Sequence, residues 1–400
     1  MTSRQLNTQS PRLLALLAAL AALGPLSVDM YLPAMPVMMR AFSTGISQMH
    51  LTLSSYLAGF ALFHLACGPL ADRFGRKPLL TGGTVLFVVA CFGCAHARTI
   101  EELLLFRFLQ GIGACVGPTL ARAVARDVFG PTGAARALSI IAMLMALAPA
   151  IAPTLGGVLL LVLPWPFVFF FLAAYGLVMI LLIRLFLPES LPHPQSLHPS
   201  VILRNFAELL VDPFFLTVTL ASGLVYSGLM VYLASSSFVY IEMLGVPRQY
   251  FGLVFVSTVI GYMAGSAISA RLSRHRDSER VMRDGVVLTL AAGCLLLTCS
   301  RIWPASVFAI MLPMTVYSMA MGLVLPHAMA IALRPFAHIA GTASALLGFI
   351  QMSLSASASA LTGSILVDSP QPMIQVMLGA TLGALLLTWR AHSLYRRAKP

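Results

Sequence analysis

Residues 13–39 read LLALLAALAALGPLSVDMYLPAMPVMM, 27 residues in which Asp29 is the only acidic or basic side chain. At about 1.5 Å of helical rise per residue the stretch outreaches the ~30 Å hydrocarbon layer of a bilayer, so it reads as a membrane span. A carboxylate inside such a span needs a partner, a water-filled path or a proton. The stretch therefore settles the fold class and poses the functional question at once.

The rest of the chain repeats the apolar pattern. Of 400 residues 59% are apolar and only 10% charged, with mean hydropathy +0.90, whereas a soluble domain carries about 25% charged residues. Apolar runs long enough to cross a membrane occupy 13–39, 50–70, 79–97, 103–124, 136–163, 165–187, 213–237, 249–271, 284–301, 305–330, 339–364 and 371–390. No segment remains that could build a soluble domain. The first span doubles as the targeting signal, being too long for a cleavable leader and followed by no small-residue cleavage site.

The formal charge of +12 does not indicate nucleic acid, because its placement follows the loops. With loops assigned alternately to two sides, 20 of the 25 Lys and Arg fall on the side of the N-terminus; the exceptions are Arg40, Arg98, Arg107, Arg248 and Arg301. The positive-inside rule then puts both termini in the cytoplasm. All six cysteines lie within or at the ends of spans, so no disulfide framework is expected, and the CxxC of Cys91 and Cys94 lacks the further ligands zinc requires.

The longest polar interruption, 187–213, separates six spans from six. This predicts an all-α polytopic fold of twelve transmembrane helices in two pseudo-symmetric six-helix halves, 1–187 and 213–400, joined by a cytoplasmic loop at 188–212. Weak internal similarity supports it. GPLADRFGRKP (68–78) follows the second span, and GSAISARLSRHRD (265–277) follows the eighth with Gly265, Arg271 and Arg274 retained and Ala270 near the place of Asp72.

In the first of these loops Gly68 is expected to allow close helix approach and Gly75 a tight turn, with Arg73, Arg76 and Lys77 at the cytoplasmic face. Asp72 can then cap a helix N-terminus or pair with the arginines. The whole stretch GPLADRFGRKPL (68–79) matches the loop 2–3 signature, GxLaDrxGrkxl, of the major facilitator superfamily, which the chain thus resembles. Asp127, in ARDVF at the inner end of the fourth span, is placed to accept from Arg73 or Arg76. The resemblance implies that such a cluster is a conformational latch, closed in one state of an alternating-access cycle and open in the other.

Two further stretches carry the resemblance. Arg107, Gln110, Gly111 and Gly113 in FRFLQGIG resemble the superfamily's span-4 motif, RxxqGxg. LAPAIAPTLGG (147–157), with Pro149, Pro153, Gly156 and Gly157, resembles the antiporter signature of drug exporters, although Ala148 and Ala152 replace the usual glycines. DMYLPAMP, SSFVYIEMLGV (236–246) and RPFAHIAGTASALLGFIQ (334–351) resemble the bicyclomycin and chloramphenicol resistance (Bcr/CflA) branch of drug:proton antiporters, and the likeness covers essentially the whole chain.

Of 13 acids only Asp29 lies well within a span. Burial disfavours a carboxylate while a nearby arginine favours it, so proton affinity can follow the opening of a cavity. Asp29 and Arg107, which fall at a similar depth, are therefore the expected proton-coupling pair. An apolar pocket near the midplane with a few polar groups is expected, with Tyr56, His64, Gln110, Tyr226, Tyr232, His327 and Gln351 as candidates.

These readings predict an inner-membrane, proton-coupled exporter of neutral amphiphiles such as phenicols or bicyclomycin, a monomer in the bilayer with no cofactor beyond protons, no metal and no nucleic acid. A proton-linked exporter of a metabolite such as an amino acid, sugar or siderophore is the alternative. A membrane enzyme is disfavoured, since HExxH, GxSxG and P-loop patterns are missing from the sequence.

Overall fold

The computed structural model describes residues 11–191 and 199–398. The N-terminal tail and the middle of the central loop, to which the sequence assigned cytoplasmic positions, lie outside the described residues.

Thirteen α-helices account for most of the described residues: α1 (Pro11–Asp29), α2 (Met35–Ala41), α3 (Ile46–Phe74), α4 (Arg76–His96), α5 (Ile100–Val162), α6 (Pro166–Phe186), α7 (Pro199–Val211), α8 (Pro213–Ser237), α9 (Phe251–Leu272), α10 (Ser278–Ile302), α11 (Phe308–Leu333), α12 (Ala340–Ile365) and α13 (Gln371–Ala398). Eleven helical stretches among the described residues are long and apolar enough to cross a membrane, and one of them, Phe308–Ile365, is 58 residues long and holds both α11 and α12. The twelve expected spans are thus present.

Local chemistry sets the helix ends. The Thr99 hydroxyl accepts from the Glu102 amide at 3.3 Å to open α5, and the Glu102 carboxylate accepts from the Arg98 amide at 2.7 Å. Asp212 caps α8, accepting from the Phe215 amide at 2.6 Å just before Pro213. Helix α6 buries Phe169, Leu172 and Ala173 yet exposes Phe171, Leu177, Leu181 and Leu185, so it is apolar on every face, as a lipid-facing span must be.

Helix α5 departs from expectation: hydrogen bonding is helical across 63 residues where two spans and a loop were predicted. It nonetheless holds two spans, 100–129 and 137–162. Gly117 packs on the Leu20 carbonyl and Gly156 on the Met30 carbonyl, both flanking α1. Thirty-nine residues of straight helix would separate those glycines by about 58 Å, so the chain reverses between them.

Contacts divide the chain into two units, one of residues 1–43 and 55–198, the other of 44–54 and 199–400. In the first, the leading span of α5 packs on α1 and α4, and α4 packs on α6. In the second, α11 packs on α9 and α10, and α8 on α12 and α13. The division differs from the predicted one in two places. The start of α3 groups with the second unit, and the central segment splits, Glu189–Leu191 bonding to the first unit while α7 packs on α8 and α12.

Candidate functional site

The first span is not one helix. α1 ends at Asp29, a turn at Met30 and Tyr31 leads into a 3-10 segment, Leu32–Ala34, and α2 resumes at Met35. Pro33 and Pro36 occupy the opening turns of the two resumed pieces, where a missing amide hydrogen costs nothing. The motif DMYLPAMP therefore encodes a helix break, the device that exposes helix ends and backbone within membrane transporters. Asp29 sits at that break, 3% exposed, and is the only buried acid among the described residues. Among those residues no hydrogen bond or ion pair reaches its carboxylate.

Arg107, 0% exposed, lies beside the break. Its guanidinium is sandwiched between two aromatic faces, 4.3 Å from the Tyr31 ring centre and 4.5 Å from that of Tyr56. Nη1 donates to the Ser27 carbonyl at 3.3 Å and to Gln110 Oε1 at 2.5 Å. Gln110 Nε2 in turn donates to Cys91 Sγ at 3.1 Å. The Tyr56 hydroxyl shares a 2.6 Å hydrogen bond with the Ser27 hydroxyl and donates to the Gly24 carbonyl at 3.2 Å.

Ser27 and Tyr31 flank Asp29 two residues away on each side, so Arg107 and Asp29 do fall in one layer of the first unit. They are not ion-paired, however: the aromatic sandwich holds the cation instead. Nε and Nη2 of Arg107 are buried without a partner among the described residues. Each unmet buried donor costs about 1–3 kcal/mol, more when charged, which leaves this edge of the guanidinium strongly receptive to an acceptor. Stacking on two desolvated rings recovers about 2 kcal/mol or more.

The small residues of both span motifs let helices close around this centre. A side chain at Gly111 would overlap the Tyr56 carbonyl, and one at Gly156 the Met30 carbonyl, with Pro33 at 3.0 Å. Gly156 therefore seats the antiporter-like stretch on the helix break next to Asp29. Pro153 and Gly157 are buried and Pro149 half-buried on the same span, and Ala148 and Ala152, which depart from the motif, are buried too, with their small size preserved.

The loop between α3 and α4 forms a second cluster. Gly75 adopts φ +100°, making the expected tight turn. The Arg76 guanidinium pairs with Asp72 at 2.8 Å and Asp127 at 3.1 Å. Asp127 thus accepts from Arg76, whereas the Arg73 guanidinium lies 5.6 Å from the Phe74 ring centre. Gly68 corrects the expectation of close approach: a Cβ there would meet nothing within 4 Å among the described residues. Close approach of α3 and α5 is made nearer the Arg107 centre, at Gly111.

Sequence reasoning missed Glu189. One carboxylate oxygen accepts from the amides of Arg76 at 2.9 Å, Ser190 at 2.9 Å and Leu191 at 3.0 Å, and the other from the Lys77 amide at 3.1 Å. It caps α4, a role the sequence had offered to Asp72, and the Ser190 hydroxyl donates to Asp127 at 3.3 Å. Proximity to Gly75 was the unreadable part, since 113 residues separate Arg76 from Glu189. Ser27, Tyr31 and Cys91 were missed as well. The first two were signalled by their spacing about Asp29.

The remaining pocket candidates scatter. Tyr56 and Gln110 belong to the Arg107 centre. His64, on α3, meets Phe60 with ring centres 5.9 Å apart and planes tilted at 57°. In the second unit Gln351, near the middle of α12, donates to the Ser222 hydroxyl of α8 at 3.2 Å, and Tyr226 lies one turn further along α8, half-buried. Tyr232 instead meets Tyr240 near the far end of α8, hydroxyls 3.3 Å apart. His327 faces the closing turn of α9, 3.0 Å from the Ser269 hydroxyl.

A sequence profile of the Major Facilitator Superfamily matches residues 17–360. The chain belongs to this superfamily of membrane transporters. It is 34% identical over 378 residues to an uncharacterised MFS-type transporter, YdgK, of Bacillus subtilis, covering 92% of this chain and 93% of the relative. It is 27% identical to the bicyclomycin resistance protein homolog of Haemophilus influenzae, covering 90% and 91%, and 31% identical to the multidrug resistance protein MdtL of Shigella flexneri, covering 92% and 93%. Among solved structures the nucleoside transporter NupG superposes with TM-score 0.76 at 14% identity, covering 96% of this chain and 100% of that one. The chain is thus a multi-pass transporter of the Bcr/CflA-like kind, with the all-α fold the sequence predicted.

Proposed function

We propose that the protein exports small neutral amphiphiles, antibiotics of the phenicol or bicyclomycin kind among them, across the bacterial inner membrane in exchange for protons. One observation carries this reading: the only buried acid among the described residues stands at a helix break, within two residues of two Arg107 contacts, and lacks a fixed counter-ion. A carboxyl so placed can be loaded with a proton in one state and can meet the open edge of Arg107 in another. The names of the relatives, bicyclomycin resistance protein homolog and multidrug resistance protein MdtL, support the substrate class.

Coupling needs a mechanical counterpart. Arg76, bonded at once to Asp72 and Asp127, is the latch that stabilises one state and must release in the other. Both termini are cytoplasmic in this reading, protons enter from the periplasm, and one chain suffices. Transport of labelled chloramphenicol into everted vesicles tests it: an uncoupler should abolish accumulation in the lumen, Asp29→Asn should do the same, and Asp72→Asn should slow transport with the protein still present in the membrane. Uncoupler-resistant uptake would reject proton coupling.

A further inference from the structure

The second unit carries a tie at the places equivalent to the first unit's latch, and its charges are reversed. In the first unit Arg76, at the start of the third helix of its bundle, reaches Asp127 at the inner end of the fourth. In the second, Glu279 opens α10, again third in its bundle, and accepts from Arg334, which follows the last residue of α11, the fourth, at 2.9 Å. The loop before α10 is the degenerate copy of the 68–78 stretch, the copy that has lost its Asp72 equivalent at Ala270.

The reversal has a physical logic. Arg76 opens a helix whose N-terminal dipole is positive, so the first unit needs a separate carboxylate, Glu189, to cap α4. In the second unit Glu279 lies in the first turn of α10 and Arg334 closes α11, so each charge complements the dipole of its own helix end. One acid thereby serves both the helix start and the cross-tie. The Glu279 side chain is only 15% exposed against 54% for Arg334, which sets the carboxylate apart from the screened surface pairs that contribute little.

We propose that Glu279 and Arg334 are positioning residues of the transport cycle: a charge-inverted second latch, formed in the state seen here and broken when the carrier reorients. The proposal rests on reading the Asp72–Arg76–Asp127 cluster as a latch. Purified variants reconstituted in liposomes, with chloramphenicol as the probe and rates expressed per folded transporter, provide the test. Glu279→Gln and Arg334→Gln should each lower Vmax at least fivefold while KM stays within twofold, a split that general loosening of the fold would not produce. The exchanged pair E279R/R334E restores the ion pair with both charges set against their helix dipoles, and should run at least twofold faster than either single.

Singles within twofold of the original Vmax, or an exchanged pair no better than the singles, would overturn the proposal. If either single does not fold, the exchanged pair decides: transport above that of transporter-free liposomes supports the tie, and none overturns it. Asp127→Asn runs in parallel. A slow Asp127→Asn beside unaffected Glu279→Gln rejects the second latch alone, whereas an unaffected Asp127→Asn rejects the latch reading itself.

Discussion

On the proposed coupling through Asp29 alone, one proton moves per substrate, and that fixes how steep a gradient the carrier can build. Among the described residues Asp29 is the only acid whose side chain is buried; Asp72, Asp127 and Glu189 all sit in the loop cluster at a helix end, with Asp72 38% and Asp127 25% exposed. With membrane potential clamped at zero, one pH unit supplies about 1.4 kcal/mol per proton, a tenfold ratio. For a neutral substrate such as chloramphenicol the lumen-to-outside ratio at equilibrium should then be about 10 in everted vesicles whose lumen is one pH unit more acidic. Adding 100 mV contributes about 2.3 kcal/mol for the single charge moved, a further ~50-fold.

The assay is the static head of labelled chloramphenicol in proteoliposomes, with potassium and valinomycin setting the potential and transporter-free liposomes correcting for leak. Asp29→Asn should equilibrate the drug to a ratio of 1 at every imposed gradient, because the amide binds no proton in this range. The sign also follows. Acidifying the side from which protons enter should raise the ratio in the unmodified protein, and acidifying the opposite side should lower it. A ratio near 100 for one pH unit would mean two protons and a second titrating group, and a gradient built by Asp29→Asn would refute the assignment outright.

Two other outcomes test the sites separately. Tyr56→Phe removes the hydroxyl that meets Ser27 and Gly24 but keeps the ring over Arg107, so it should cost about 0.5–1.5 kcal/mol in thermal unfolding, while Tyr56→Ala, which also forfeits the stacking, should cost about 3–5 kcal/mol; equal effects would show that the ring does not hold the guanidinium. Glu189→Ala should weaken the start of α4 by about 1–2 kcal/mol and slow transport without changing substrate affinity, and an unchanged melting temperature would show that the four amide bonds are replaced by water at no cost.

Hydropathy made the spans legible because the bilayer demands long apolar runs, and the charge-poor stretch around Asp29 stood out against them for the same reason. Periodicity could not reveal the break at Met30 and Tyr31, which depends on two prolines spaced to open two short pieces rather than one kinked helix. The depth of Arg107 could be counted from the span ends, yet its partners could not. A guanidinium inside a membrane invites an acid by Coulomb's law, and the rings of Tyr31 and Tyr56 satisfy it only because α5, which carries Arg107, closes on α3 at Gly111 and on α1 at Gly117. The same limit hid Glu189 and the tie of Glu279 to Arg334. A sequence-local pair such as Asp72 and Arg76 announces itself at spacing four, whereas a pair closed over 55 residues exists only once the helices have packed. The chemistry of this carrier therefore lies in sequence-local carboxylates and arginines, and its control lies in which of them the packing leaves unpaired.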